Sequence, residues 1–184
     1  MLARVYFSAG EHPTRWNEFR HFGPTHARFD HHLADAQRGA STQDRSILYC
    51  ARAAATCFAE VFQDSRKINR TRRTPWLAVF ALTRDVKLLD LTGNYPTRAG
   101  ASMAINTGHR GRARAWARAF YAAYPALHGI YYASSMNGNQ PAITLNDRAQ
   151  GCLPPYPEFN RALADDALLD VLKHSARDLG YGLL

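Results

Sequence analysis

The chain has little cysteine. Its 184 residues include only Cys50, Cys57 and Cys152, an odd number with no C-x-x-C pair. Isolated cysteines in apolar surroundings are usually small buried side chains, so the pattern does not indicate a disulfide framework. A reducing cytoplasm is the compartment that fits these cysteines best.

Long apolar runs are also missing. No segment approaches the roughly 18 consecutive apolar residues that a transmembrane helix needs, so we expect no membrane partner. Residues 1–7 are too short a run, and the chain beyond Phe7 too polar, for a signal peptide. We therefore expect the protein to act in the cytoplasm, either of its own cell or of a cell to which it is delivered.

The glycine motifs of the common nucleotide-binding folds are absent. There is no G-x-G-x-x-G and no G-x-x-x-x-G-K-[ST], which argues against Rossmann-type hydride transfer and against nucleoside triphosphate hydrolysis. Four histidines at positions 21, 26, 31 and 32 lack the spacing of a helical metal site or a zinc finger. We expect no metal centre.

Acidic residues are scarce relative to basic ones. Fifteen Asp and Glu against 23 Lys and Arg give a net charge of +8, which favours an anionic partner. The densest basic run, residues 66–73, lacks interleaved aromatic residues and any recognised nucleic-acid signature. A solvated loop or a docking surface for an acidic protein is at least as good an interpretation, and nucleic-acid binding without catalysis remains an alternative.

The apolar fraction of 46% and the length predict one globular domain over residues 1–184. Periodicity predicts helices at 51–64, 113–124 and 165–179, the last ending at Gly180, and strands at 3–8, 46–50, 76–82, 86–91, 129–132 and 142–146. Because these elements do not alternate regularly, we expect an α+β fold with a mixed or split sheet flanked by helices. We place 76–82 and 86–91 at the sheet centre and expect 31–45 to be an exposed excursion.

Three separated segments carry the candidate site residues. The first contains Arg28, the second runs from a short strand with Tyr49 into a helix with Glu60, and the third ends at Ser134. A junction that changes from strand to helical periodicity within two residues can direct Tyr49 and Glu60 at one cavity. Together the segments offer a guanidinium, an aromatic ring, a carboxylate and a hydroxyl.

Each of these residues also has an ordinary structural interpretation. Glu60 lies on the polar stripe of its helix, where most carboxylates are solvated. Arg28 could form an ion pair with the nearby Asp30, Ser134 could belong to a simple turn, and Tyr49 could be a core residue. Position alone does not decide between the two interpretations.

In order and character the three segments resemble the RES domain, a bacterial toxin family related to ADP-ribosyltransferases and named for an arginine, a glutamate and a serine. On this comparison the three residues are Arg28, Glu60 and Ser134. The resemblance is strongest over residues 5–148 and includes the helix with Trp116 and the segment 142–148. It implies an ADP-ribosyltransferase-like fold that uses NAD as a substrate and needs no cofactor.

The resemblance also implies roles for the residues. The bond to be broken joins nicotinamide to ribose, so Glu60 would stabilise an oxocarbenium-like ribosyl centre as the catalytic carboxylate. Arg28 would bind the pyrophosphate and assist catalysis. Tyr49 would present its ring to nicotinamide or its hydroxyl to ribose. Ser134 would bind the nicotinamide amide or a phosphate.

The acceptor of the ADP-ribosyl group is left open between water, inorganic phosphate and a protein side chain. The chain has no Glu-x-Glu or Gln-x-Glu turn of the kind that arginine-directed transferases use, which favours a small nucleophile. The resemblance implies a cognate antitoxin or immunity protein as partner. A homodimer is also possible, and nucleic acid is a less favoured partner.

Overall fold

The structure is a computed structural model that describes residues 1–37 and 39–184. The strands are β1 (Leu2–Phe7), β2 (Arg20–Gly23), β3 (Ser41–Ala51), β4 (Lys67–Ile68), β5 (Pro75–Phe80), β6 (Leu88–Asp90), β7 (Gly129–Ala133), β8 (Pro141–Asn146), β9 (Phe159–Ala162) and β10 (Gly182–Leu183). The α-helices are α1 (Ala54–Val61), α2 (Tyr95–Arg98), α3 (Ala104–Thr107), α4 (Arg110–Ala123) and α5 (Leu169–Leu179). Short 3-10 helices occupy Asp147–Cys152 and Asp166–Leu168. Among the helices of the described residues, none has the length and apolarity to cross a bilayer.

Eight strands form one mixed sheet in the order β6-β7-β8-β3-β1-β5-β9, with β2 added alongside β3. The pair β6 and β7 is parallel, and the other pairs in this sheet are antiparallel. Two short strands, β4 and β10, make a separate parallel pair. The predicted α+β class with a mixed sheet is confirmed.

The sheet opens along one edge of β3. Ile47 pairs there with Arg20 of β2, and Ala51 pairs with Ala3 of β1, while β8 pairs with the opposite edge of β3. Residues 48–50 lie between these two pairs and have no partner on that edge in the registers of the described strands. The split therefore lies directly beside Tyr49.

Helices α1, α4 and α5 cover one face of the sheet. Helices α1 and α5 bury Phe58 and Leu172 against β1 and β5, and α4 buries Ala117 and Phe120 against β7. The opposite face is closed by the segment that carries Trp16, which packs on Phe80 at a ring separation of 5.4 Å. The two helical units on the first face leave a cleft between them.

Several local predictions hold, one is wrong, and one holds in part. The strands predicted at 3–8, 46–50, 76–82, 129–132 and 142–146 are present, and the last helix ends at Gly180, whose φ of +65° is the left-handed conformation that glycine tolerates. The segments 76–82 and 86–91 are not at the sheet centre, which β3 occupies: β5 lies one strand from one edge, and 86–91 is shortened to β6 at the other edge, where it pairs only with β7.

The predicted exposed excursion over 31–45 holds in part, since residues 33–37 and 39 are exposed. His31 and His32 are buried, and β3 already begins at Ser41, while residue 38 lies outside the described residues. His32 is buried because its Nδ1 bonds to Asp30, and His31 is buried because its ring stacks on Tyr121.

The basic run 66–73 is folded against the C-terminus. Strand β4 lies within it, and Arg70 donates to the carbonyls of Leu163 and Ala164 and to Asp166. The guanidinium of Arg73 lies over the ring of Phe7, 4.4 Å from its centre. Part of the run is therefore occupied by contacts within the protein.

Candidate functional site

A cavity of about 360 Å³ lies in the cleft between α1 and α4, at the split in the sheet. Arg28, Tyr49 and Glu60 line it, and Ser135 lies on its wall. Ser134 is fully buried immediately behind Glu60. The structure thus brings together all four residues that the sequence singled out, although they are separated by up to 106 positions in the chain.

Helix α1 directs Glu60 at the cavity. Its buried face packs Phe58 and Ala59 into the core, while Thr56 and Glu60, one turn apart, line the cavity together with Cys57. Burial raises the pKa of the Cys57 thiol far above its usual range, so this cysteine is not a nucleophile at neutral pH. Glu60 therefore contributes the carboxylate that α1 places at the cavity.

The turn after β7 fixes the carboxylate. Ser134 Oγ donates to Glu60 Oε1 at 2.6 Å, and Asn137 Nδ2 donates to Thr56 Oγ1 at 2.9 Å. The turn is therefore bonded to α1 at two points. Ser134 Oγ also accepts from the backbone N–H of Met136 at 3.2 Å. With its hydroxyl engaged in this way, Ser134 orients Glu60, and its predicted contact with substrate stays a prediction.

Arg28 is anchored at the junction of α3 and α4. Its Nη1 donates to the carbonyl of Gly108 at 2.8 Å and to that of Ile105 at 3.4 Å. Burial lowers the pKa of Arg28, the charge of Arg110 lowers it further, and Glu60 opposes the shift. A guanidinium nevertheless remains a cation at neutral pH. The ion pair with Asp30 that the sequence allowed does not form, because Asp30 pairs with Arg20 instead.

Asp30 organises the loop that carries Arg28, a role that no sequence pattern indicates. Its carboxylate has no exposed surface and accepts hydrogen bonds from Arg20 Nη2, from the N–H and hydroxyl of Thr25, and from the N–H and Nδ1 of His32, all between 2.6 and 3.1 Å. Burial alone would raise the pKa of Asp30, but the bond from His32 and the charge of Arg20 hold it well below its usual range. In sequence Asp30 resembles any aspartate in a turn.

Two further contacts hold the same loop in place. Phe29 adopts φ of +60° and is fully buried against Tyr132, with ring centres 4.8 Å apart. The hydroxyl of Tyr49 donates to the carbonyl of Arg28 at 3.0 Å. Burial, with a smaller contribution from Asp30, raises the pKa of Tyr49 far above its usual range. The phenol stays protonated, so Tyr49 acts as a donor and as a wall of the cavity.

Arg110 is a cavity residue that the sequence analysis missed. It is the first residue of α4, lines the cavity, and donates from Nη2 to Gln63 Oε1 at 2.5 Å. Arginines at 110, 112, 114 and 118 in one helix were a signal that could have drawn attention to it. The cavity therefore has more positive than negative side chains on its wall.

Helix α1 is supported from behind by the C-terminal segment. The hydroxyl of Tyr181 donates to the carbonyl of Ala59 at 3.2 Å, and Leu172 of α5 belongs to the same buried cluster as Phe58. Ala59 directly precedes Glu60. The position of the carboxylate thus depends on contacts from both the turn at 134–137 and the C-terminus.

His31 and His32 form a buried structural cluster beside the site, whereas His21 and His26 are exposed. His31 stacks on Tyr121 with ring centres 4.5 Å apart, and its Nε2 lies 3.8 Å from Asp147 Oδ1. Burial, reinforced by His32, lowers the pKa of His31 to about 4, although Asp147 opposes the shift. Within residues 1–37 and 39–184, no group of three or more His, Cys, Asp or Glu is arranged to hold a metal ion.

Comparison with known proteins gives one match. A family model described as the RES domain matches residues 2–164 of the 184-residue chain. No curated protein and no solved structure matches the chain. The ADP-ribosyltransferase-like character of the fold therefore stays a prediction. The family match covers most of the chain and includes Arg28, Glu60 and Ser134, and on this basis the chain belongs to the RES-domain family.

Proposed function

We propose that the protein is an NAD-degrading toxin that cleaves the bond between nicotinamide and ribose. The observation that carries the proposal is the position of Glu60. This carboxylate is oriented by Ser134 at the wall of a cavity that also presents Arg28. Membership of the RES-domain family supports it, because the family is named for an arginine, a glutamate and a serine, to which we assign Arg28, Glu60 and Ser134.

The chemistry follows from the charge that develops in the reaction. Breaking the C–N bond leaves its electron pair on nicotinamide, which departs neutral, and places positive charge on the ribosyl carbon. Ser134 occupies Glu60 Oε1, so the other carboxylate oxygen is available to stabilise that charge or to accept from a ribose hydroxyl. Water then adds to the ribosyl carbon and releases one proton, giving ADP-ribose.

Arg28 and Tyr49 serve substrate binding in this proposal. The guanidinium of Arg28 is a fork suited to a phosphate, and its carbonyl anchors fix its position before substrate arrives. The ring of Tyr49 forms part of the cavity wall and can pack against nicotinamide or the ribose. Ser134 acts on the reaction through Glu60.

A small nucleophile, water or inorganic phosphate, is favoured over a protein acceptor. The positions two residues before and two residues after Glu60 are Phe58 and Phe62, both buried in the core. Neither can orient an acceptor side chain at the site. ADP-ribosyl transfer to a specific macromolecule is the alternative, and a neutralising protein partner stays a prediction of the family resemblance.

The direct test is to incubate the purified protein with NAD and to separate the products by chromatography. Wild-type protein should release nicotinamide together with ADP-ribose, or with its 1-phosphate when inorganic phosphate is supplied. Glu60→Gln should lower kcat by roughly 100-fold or more, the scale of one lost electrostatic stabiliser. Glu158→Gln, on the exposed surface, is the matched control and should retain full activity.

A fully active Glu60→Gln variant would show that the catalytic assignment is wrong. Radiolabelled NAD incubated with cell lysate tests the alternative. Strong labelling of one protein band that requires Glu60, with little free ADP-ribose, would favour macromolecular transfer over hydrolysis.

Toxicity gives a second test in cells. Inducing the wild-type gene in bacteria should lower cellular NAD before growth stops, and Glu60→Gln should do neither. Growth arrest with a constant NAD level would contradict depletion as the cause.

A further inference from the structure

We propose that Arg110 and Arg28 together bind the pyrophosphate of a dinucleotide. This two-arginine clamp would give the cavity its preference for a ligand with two adjacent negative charges. The inference deepens the proposed function and rests on it for the identity of the dinucleotide, whereas the clamp itself can be tested with pyrophosphate alone.

The two guanidinium groups belong to the same corner of the cavity. Arg28 reaches it from the loop after β2 and is anchored to the carbonyl of Gly108, two residues before Arg110 in the chain. Arg110 opens α4, and both side chains line the cavity. A ligand bound between α1 and α4 would meet both.

Neither guanidinium is paired with a carboxylate of the part of the chain that the structure describes. Arg28 donates to backbone carbonyls, and Arg110 donates to the side-chain amide oxygen of Gln63. The nearby carboxylate is Glu60, which is bonded to Ser134 and forms no ion pair with either arginine. By contrast, Arg20 on the same wall is neutralised by Asp30 at 2.9 Å.

Two unpaired cations at one corner repel each other. The positive charge of Arg110 contributes to the lowered pKa of Arg28, after the larger effect of burial. A dianion would relieve this repulsion, and forked guanidinium groups bind phosphate oxygens through paired hydrogen bonds. The 14-residue helix α4 begins at the same place, so its N-terminal partial charge adds to the attraction.

The bond from Arg110 to Gln63 allows a competing explanation. Gln63 Nε2 also donates to the carbonyl of Glu60 at 2.6 Å, so Arg110 could serve only to tie α4 to α1. The two roles respond differently to loss of Gln63. If Arg110 only links α4 to α1, Gln63→Leu should break the link as effectively as Arg110→Ala. If Arg110 binds phosphate, Gln63→Leu removes a neutral acceptor that competes with phosphate for the guanidinium, and binding is retained.

Isothermal titration with inorganic pyrophosphate, ADP-ribose and nicotinamide tests the clamp. Arg110→Ala should weaken binding of pyrophosphate and ADP-ribose by roughly tenfold or more, the effect of one lost charge-assisted hydrogen bond. It should leave nicotinamide binding unchanged. Arg110→Lys, which keeps the charge but not the fork, should fall between wild type and alanine. Arg114→Ala, one turn along α4 and outside the cavity wall, is the matched control.

Thermal unfolding confirms that each variant is folded. Equal binding by Arg110→Ala and Arg114→Ala would overturn the clamp. A loss of binding with Gln63→Leu as large as that with Arg110→Ala would also overturn it.

In NAD cleavage, Arg110→Ala should raise KM much more than it lowers kcat. Cleavage with an unchanged KM would overturn the clamp while leaving the proposed function intact. Arg110-dependent pyrophosphate binding without NAD cleavage would support the clamp and refute the proposed function.

Discussion

Replacing Ser134 with alanine removes a buried hydroxyl that donates to Glu60 at 2.6 Å and accepts from Met136. Hydrogen bonds to charged groups contribute about 1.5–3 kcal/mol. If that contribution serves catalysis by orienting Glu60, Ser134→Ala should lower kcat roughly 10- to 150-fold, since each 1.4 kcal/mol is about a factor of ten. Ser134→Thr, which keeps a hydroxyl, should restore part of the loss.

A double-mutant cycle separates positioning from direct substrate contact. If Ser134 acts only through Glu60, the variant with both Ser134→Ala and Glu60→Gln should be no slower than Glu60→Gln alone. If Ser134 contacts NAD independently, the two losses should multiply to roughly 1,000-fold or more, given about 100-fold from Glu60→Gln and at least about tenfold from Ser134→Ala.

The assay is the initial rate of nicotinamide release at saturating NAD for the four proteins of the cycle. Thermal unfolding of each variant shows that the rates refer to folded protein. Losses that multiply would refute positioning as the role of Ser134. They would restore the substrate contact that the family resemblance implied.

Three further predictions concern the scaffold of the site. Because the pKa of His31 is about 4 in the folded protein against 6.5 unfolded, its contribution to stability is present above pH 6.5 and is lost as the pH falls towards 4. Urea unfolding should therefore show a loss of roughly 2 kcal/mol between pH 7 and pH 5 that His31→Phe abolishes, and a constant free energy would contradict it. Asp30→Asn should weaken ADP-ribose binding, because the loop with Arg28 loses its charged anchor, and binding equal to wild type would argue against that coupling. Tyr181→Phe should lower the free energy of unfolding by about 1 kcal/mol and reduce kcat, since its hydroxyl bonds to the residue before Glu60; a stability loss with unchanged kcat would limit Tyr181 to a structural role.

The strands that were predicted correctly are those that can be recognised from the pattern of their own residues. Buried strands such as β5 and β8 are apolar runs bounded by turn residues, and such runs can be read without knowing their neighbours. The short edge strands β2 and β9 carry no such pattern, since few of their side chains are buried. Their place in the sheet is set by pairing with distant segments, and the edge position of β6 was mispredicted for the same reason.

Burial of polar residues explains why the predicted exposure of 31–45 fails at His31 and His32. A segment with many polar residues is normally exposed, because burying an unbonded polar group costs free energy. His32 escapes that cost by bonding through Nδ1 to Asp30, which is itself neutralised by Arg20. The compensation comes from residue 20, outside the segment, so local composition could not reveal it.

The residues that meet at the candidate site could be selected from the sequence as a set, but their contacts could not. The order of Arg28, Tyr49, Glu60 and Ser134 could be compared with a family because it is a property of sequence. The bond between Ser134 and Glu60 joins positions 74 residues apart and depends on how the turn after β7 meets α1. Sequence spacing contains no information about such a contact.

The arginines of this chain differ in whether they pair with a carboxylate. Arg70 and Arg161 pair with carboxylates near the C-terminus, and Arg20 neutralises the buried Asp30. Arg28 and Arg110 instead bond to neutral acceptors, as Arg4 does, and they form no ion pair with a carboxylate of the described residues at the cavity that they line. Such an arrangement lowers the stability of the empty protein relative to a paired one, and an anionic ligand reverses that cost on binding. In this proposal, two of the positive charges behind the net charge of +8 are placed at the cavity to bind an anionic ligand.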